Sequence, residues 1–328
     1  MLLVTGGAGF IGSHLVERLV RDGKRVRVMD NFVTGKRENL KNDIEKIDLV
    51  EGDILDLEMV RKAVDGVEVV FHQAALRSVP LSVDDPLPSN DVNIRGTLNI
   101  LLASRDAGVK KVVYASSSSV YGDSFRLPKT EDQACAPISP YAVSKLAGEN
   151  YCSVFTKVYG LETISLRYFN VFGPRQDPGS QYAAVIPKFI SRALKGKPLE
   201  VHGDGLQSRD FTYIDDVVQA NVLAAAAEKG AGEMFNVASG KAYSILDLIA
   251  SLSRILGKDL RWVHTPSRHG DVRHTLADIS KARKMLGYKV QAEFEQGLNE
   301  TYRYLSESKS RQENLAGETG DKTRQVQR

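Results

Sequence analysis

Short apolar runs alternate with segments of helical spacing through the first half of the chain. Residues 2–5 are apolar and stop at a glycine cluster, which predicts a buried strand. Over residues 10–22, Ile11, Leu15, Leu19 and Val20 fall on one helical face, and Gly23 closes the helix. Residues 25–29 alternate and lead into Asp30, a second strand. Residues 67–72, 111–115 and 162–167 read as further buried strands, and 90–108 and 141–159 as helices. This succession predicts βαβ units and a parallel sheet with helices on both faces. Beyond residue 170 the pattern loosens. Helical segments at 184–195, 215–228 and 244–256 are separated by short strands and polar loops, predicting a smaller C-terminal α/β region. The expected division is 1–170 and 171–305. Residues 306–328 are polar without an aromatic, and read as a disordered tail.

Composition narrows the function classes. With 44 Lys+Arg against 41 Asp+Glu among 328 residues, the net charge is +3, too weak a bias for a nucleic-acid or membrane-surface protein. The two cysteines, Cys135 and Cys152, exclude a disulfide framework and fit a reducing compartment. No leader precedes the glycine cluster and no apolar run approaches the ~20 residues of a membrane span. A soluble, cytoplasmic protein is the expectation, so the sequon Asn299-Glu300-Thr301 is read as chance. The six histidines show no metal-ligand spacing, and no metal is expected.

Candidate chemistry begins at Gly6-Gly7-Ala8-Gly9-Phe10-Ile11-Gly12, between the first strand and the first helix. Gly6, Gly7, Gly9 and Gly12 fit the glycine-rich turn of a dinucleotide site: a tight turn, close approach to a pyrophosphate, and a helix N-terminus facing it. A Rossmann-type, doubly wound sheet follows from this context. Asp30 ends the second strand 18 residues past Gly12, where a carboxylate takes the ribose hydroxyls and repels a 2′-phosphate, favouring NAD over NADP. Asn31 adjoins it. Asp53 ends the third strand, within reach of an adenine amino group or acting as a simple cap.

A second constellation is Tyr141-Ala142-Val143-Ser144-Lys145. Residues four apart share a helix face, and an ammonium near a phenol favours the phenolate. Tyr141 then becomes a general base. Ser116–Ser119 follow a buried strand, at the end where open parallel sheets bind ligands.

With these motifs on the page, the chain resembles the extended short-chain dehydrogenase/reductases, in particular the nucleotide-sugar 4-epimerases. The matching stretches include Thr5–Gly12, His72-Gln73-Ala74-Ala75, Asn93-Ile94-Arg95-Gly96-Thr97, Ser117–Gly122, Ser139–Lys145, Leu166–Pro174 and Arg209–Asp216. The resemblance implies that Ser117, Tyr141 and Lys145 are catalytic, with Ser118 and Ser119 beside the sugar. It implies an NAD site lined by Phe10, Ile11, Asp53, Ile54, Gln73, Ala74, Ala75, Asn93 and Tyr168. It places Asn170, Ala184, Val185, Lys188, Val201, Arg209, Arg268 and Asp271 around a UDP-sugar. The implied reaction is inversion at C4 through a 4-keto sugar, with NAD recycled.

Within that resemblance, a 4,6-dehydratase needs an acid–base carboxylate pair where Ser118 and Ser119 stand, and decarboxylase relatives tend to carry Glu at the Ser119 position. Thr275 falls at a pocket-wall position where strict glucose/galactose epimerases often carry Tyr. Together with Tyr182–Pro187, this predicts UDP-GlcNAc/UDP-GalNAc interconversion, with UDP-glucose/UDP-galactose also accepted. Arg77 keeps a uronate substrate open. A non-catalytic NAD-binding protein is the reading from another class, and it predicts a degraded Tyr or Lys. A homodimer through helices 90–108 and 141–159 is expected by analogy.

Overall fold

Seven of the short runs pair side by side in a computed structural model that describes residues 1–179, 183–266 and 272–308. They are β1 (Leu2–Thr5), β2 (Val26–Asp30), β3 (Ile47–Glu51), β4 (Val69–His72), β5 (Lys111–Ser117), β6 (Glu162–Tyr168) and β7 (Glu233–Val237). The order across the sheet is β3-β2-β1-β4-β5-β6-β7, and every neighbouring pair is parallel. The chain reverses direction across the sheet between β1 and β4. That switch point opens a crevice beyond the carboxyl ends of the strands.

Alternation along each strand feeds two cores. Val4, Val28, Phe71 and Val113 face one side, where helix α1 (Phe10–Arg21) and the helix Ile214–Ala226 cover them. Their neighbours Leu3, Met29, Val70 and Val112 face the other, under helix α2 (Leu57–Val64), Thr97–Asp106 and Pro140–Tyr159. A third cluster, with Phe172, Phe189, Phe211 and Leu248 at its centre, belongs to the C-terminal part.

The doubly wound parallel sheet agrees with the sequence reading, and the details differ in three places. The helix expected at 90–108 starts at Pro86 and is interrupted by a π-helical turn, Asp91–Gly96, before Thr97–Asp106. β7 and the helix Ile214–Ala226, both beyond residue 170, return to the large sheet. The segment 294–308 is helical, so the chain is ordered through the first residues of the expected tail. The remainder of that tail lies outside the described residues. Among the described residues, no helix is long and apolar enough to cross a membrane, and no cluster of potential metal ligands forms.

Candidate active site

The glycine turn is shaped by what surrounds it. Gly6 has φ +66°, and a Cβ there would lie 2.7 Å from the Ala74 backbone. A Cβ on Gly12 would lie 2.2 Å from the Gly6 carbonyl oxygen, so the first turn of α1 sits directly on the loop. The cleft beside it has a volume of about 510 Å³ and runs from Gly9–Gly12 past Asp30 to Tyr141 and Lys145. Asp30 is buried at the end of β2. Its carboxylate accepts from Ala8 N (2.9 Å) and Phe32 N (2.8 Å), and burial pushes its pKa up. Asp30 therefore braces the glycine turn as well as bordering the cleft. Asn31 Nδ2 donates to Asp53 Oδ2 (2.8 Å), joining the ends of β2 and β3 into one rim. Ile54, Gln73, Ala74 and Ala75 line the same cleft. A cradle closed to any side chain, facing a helix N-terminus and a buried carboxylate, fits the pyrophosphate and ribose of NAD.

At the other end, the strand β5 delivers Ser116 and Ser117 to the sheet's edge. Ser139 caps the helix Pro140–Tyr159 by accepting from Ala142 N (3.2 Å). Tyr141 and Lys145 follow one turn apart on its buried face. The Tyr141 side chain and Ser117 line the cleft together. Burial raises the Tyr141 pKa, while Ser117 and the Arg77 charge pull it down. Lys145 Nζ donates to the Ala115 carbonyl (2.8 Å), and burial lowers its pKa to about 8. Ser117 Oγ also donates to Ser119 Oγ (3.1 Å), and Ser118 completes the lining.

Two cofactor-site candidates are engaged elsewhere. Asn93 is buried, accepts from Leu76 N (2.8 Å) and donates to Leu76 O (2.9 Å) and Ser144 Oγ (3.0 Å). It holds the loop after β4 onto the helix carrying Tyr141 and does not reach the cleft. Tyr168 borders the cleft, but its hydroxyl is held by Gln73 (3.2 Å) and Asn221 (2.8 Å). Sequence reasoning missed Asn221. The available signal was an Asn between Val217 and Ala224 on the apolar face of its helix.

A second cavity of about 270 Å³ adjoins the first through Asn170 and Val171. Ala184, Val185 and Arg209 line it together with Phe172, Phe211 and Glu200. Two of the expected substrate residues stand back from it. Val201 is fully buried in the C-terminal core, and Lys188 pairs with Glu200 of the lining (2.7 Å). Thr275 Oγ1 accepts from Asn170 Nδ2 (3.2 Å) and Asp210 N (3.2 Å), so it reaches the cavities through Asn170. Asp210, unremarked in the sequence, is buried with donors from Ser239, Gly240 and Ala277, and burial raises its pKa to about 6. Arg268, Asp271 and Tyr182 lie outside the described residues. His72, bonded to Thr5 (2.7 Å) and Thr97 (3.0 Å), is structural.

The family profile described as "NAD dependent epimerase/dehydratase family" matches residues 2–238. A UDP-glucose 4-epimerase of Mycolicibacterium smegmatis is 39% identical, over 92% of this chain and 97% of that one. The solved UDP-N-acetylglucosamine 4-epimerase from Methanobrevibacter ruminantium M1, in complex with UDP-N-acetylmuramic acid, is 42% identical. It superposes with a TM-score of 0.90, covering 94% of this chain and 98% of that one. The UDP-glucuronic acid 4-epimerase of Bacillus cereus, solved with UDP-glucuronic acid and NAD, is 36% identical with a TM-score of 0.86, covering 93% and 99%. Three relatives of similar identity thus carry three different sugars in their names.

Proposed function

The chain belongs to the NAD-dependent epimerase/dehydratase family, and from that premise we propose that it inverts C4 of a UDP-sugar by transient oxidation at that carbon. The observation that carries this reading is that Ser117, Tyr141 and Lys145, the last two one turn apart on a buried helix face, line the same cleft as the glycine turn. When bound, NAD accepts a hydride and returns it. Tyr141 takes the proton of the C4 hydroxyl and later gives it back. Ser117 donates to the C4 oxygen and keeps it within reach of the phenol. Lys145 holds a ribose hydroxyl, and Asp30 the adenosine ribose. The second cavity supplies Arg209, an always-charged donor suited to a diphosphate.

Serines at 118 and 119 supply no carboxylate for a 4,6-dehydration, and an intact Ser117–Tyr141–Lys145 set speaks against a non-catalytic role. For the sugar, an N-acetylhexosamine comes first, with glucose and galactose also accepted: Thr275 is small and leaves room at C2. The uronate reading rests on Arg77. The epimerase reading makes the enzyme a cytoplasmic homodimer. Val143, Val154 and Val158, exposed by 50%, 46% and 66% on one stripe of the helix Pro140–Tyr159, support the dimer.

An NMR time course with UDP-GlcNAc, UDP-glucose and UDP-glucuronate, each with NAD, tests the proposal. C4 inversion fastest with UDP-GlcNAc is expected. Fastest turnover of UDP-glucuronate would make Arg77 the specificity residue, and no inversion of any would overturn the epimerase reading.

A further inference from the structure

Gln176 borders the dinucleotide cleft and is only 5% exposed. Its amide nitrogen donates to the Val171 carbonyl (3.1 Å), which orients the amide. The amide oxygen is buried and has no partner among the described residues. A buried acceptor without a donor is costly, so a donor supplied by a bound molecule accounts for it. An oxygen acceptor selects a hydroxyl or an amide N–H over a phosphate.

The segment around Gln176 gives the second observation. It leaves the edge near β6, yet its two flanking residues reach elements on the opposite side of the switch point. Arg175, at φ +65°, pairs with Glu17 on α1. Asp177 pairs with Lys36, after β2, at 2.7 Å. With the sheet ordered β2-β1-β4-β5-β6, residues 173–177 cross the cleft.

We propose that residues 173–177 form a strap over bound NAD, in which Gln176 accepts a hydrogen bond from a ribose hydroxyl or the carboxamide of the cofactor. The Arg175–Glu17 and Lys36–Asp177 pairs clasp the strap and set how fast the cofactor leaves. The inference rests on the cleft being the NAD site. It adds a cofactor contact and a retention device that the glycine turn does not supply.

The test is release of isotopically labelled NAD from the full-length holoenzyme, chased with unlabelled NAD. Gln176→Ala is expected to release label about 3–10-fold faster, the loss of one neutral hydrogen bond. The double variant Glu17→Gln/Lys36→Met leaves the cleft untouched. It is expected to release roughly 3–10-fold faster at low salt. Wild type should accelerate in 1 M salt, and the double variant should not. The melting temperature of the cofactor-free proteins should be unchanged, which a merely structural role would not leave so. Labelled wild type with unchanged release in both variants overturns the strap alone. So does a Gln176→Ala effect confined to the KM for the UDP-sugar, which would place the amide on the substrate. A wild type that holds no label overturns the strap together with the cofactor reading beneath it.

Discussion

As the proposed base, Tyr141 has to lose a proton in a place whose burial opposes the phenolate. Phenylalanine there keeps the ring and removes the base, so Tyr141→Phe should lower kcat by about 10²–10⁴-fold. Titration with NAD should show cofactor binding retained. Arg77 gives a finer test. Its positive charge favours the phenolate, so removing it raises the base's pKa. The base works deprotonated, and in Arg77→Ala the acid limb of the kcat profile should move to higher pH, with activity falling most near neutrality. An unmoved limb would separate Arg77 from the base. That Tyr141 and Lys145 share a helix face and that Ser116–Ser119 follow a strand was legible from spacing, because one helical turn and one strand end suffice to place them. Asn93 was not. It lies only 17 residues past Leu76, and which face of the loop it grips depends on tertiary packing.

The helix Pro140–Tyr159 repeats the logic one level up. Tyr141, Lys145 and Glu149 follow at single-turn intervals on its buried face. Glu149 accepts from Arg167 of β6 at 2.9 and 2.7 Å, and from Ser116 of β5, with Arg167 and Glu149 both almost wholly buried. One carboxylate therefore ties the helix bearing the base to the two strands whose ends bear Ser117 and Tyr168. Glu149→Leu leaves the Arg167 charge buried and unpaired, and should cost about 3–5 kcal/mol in urea unfolding. Glu149→Leu/Arg167→Met removes both charges and should recover most of that loss. Equal destabilisation in the single and double variants would deny the pair this role. Strands β1, β2, β4, β5 and β6 were readable because alternate residues feed two cores and leave continuous apolar runs, whereas β3 has no fully buried residue. β7 escaped because only Phe235 and Val237 stand out in Glu-Met-Phe-Asn-Val, beside a loosened pattern. The π-helical turn escaped for a different reason: one extra residue in a turn leaves the apolar spacing of Ile94, Leu98 and Leu101 intact to the eye.

On the scale of the molecule, the chemistry sits where the chain order reverses between β1 and β4, and the C-terminal part closes the far side with Asn170, Arg209 and Phe211. The glycine turn, Ser117, Tyr141 and Lys145 line one cleft. The outer stripe of the helix Pro140–Tyr159 remains. Its inner face is spent on the core, whereas Val143, Tyr151, Val154 and Val158 recur at helical spacing towards solvent. Covering that stripe with the same stripe of a second chain removes apolar surface from water on both, at about 25 cal/mol per Å², and symmetry makes the patch its own complement. Val154→Glu/Val158→Glu places four like charges across such an interface. Sedimentation velocity should show wild type as a dimer at micromolar concentration and the variant as a monomer. Because the cleft lies on the opposite face of the same helix, the monomer should still bind NAD, with stability reduced by the loss of the partner. A monomeric wild type would leave the stripe without this explanation. A variant that stays dimeric would move the interface elsewhere.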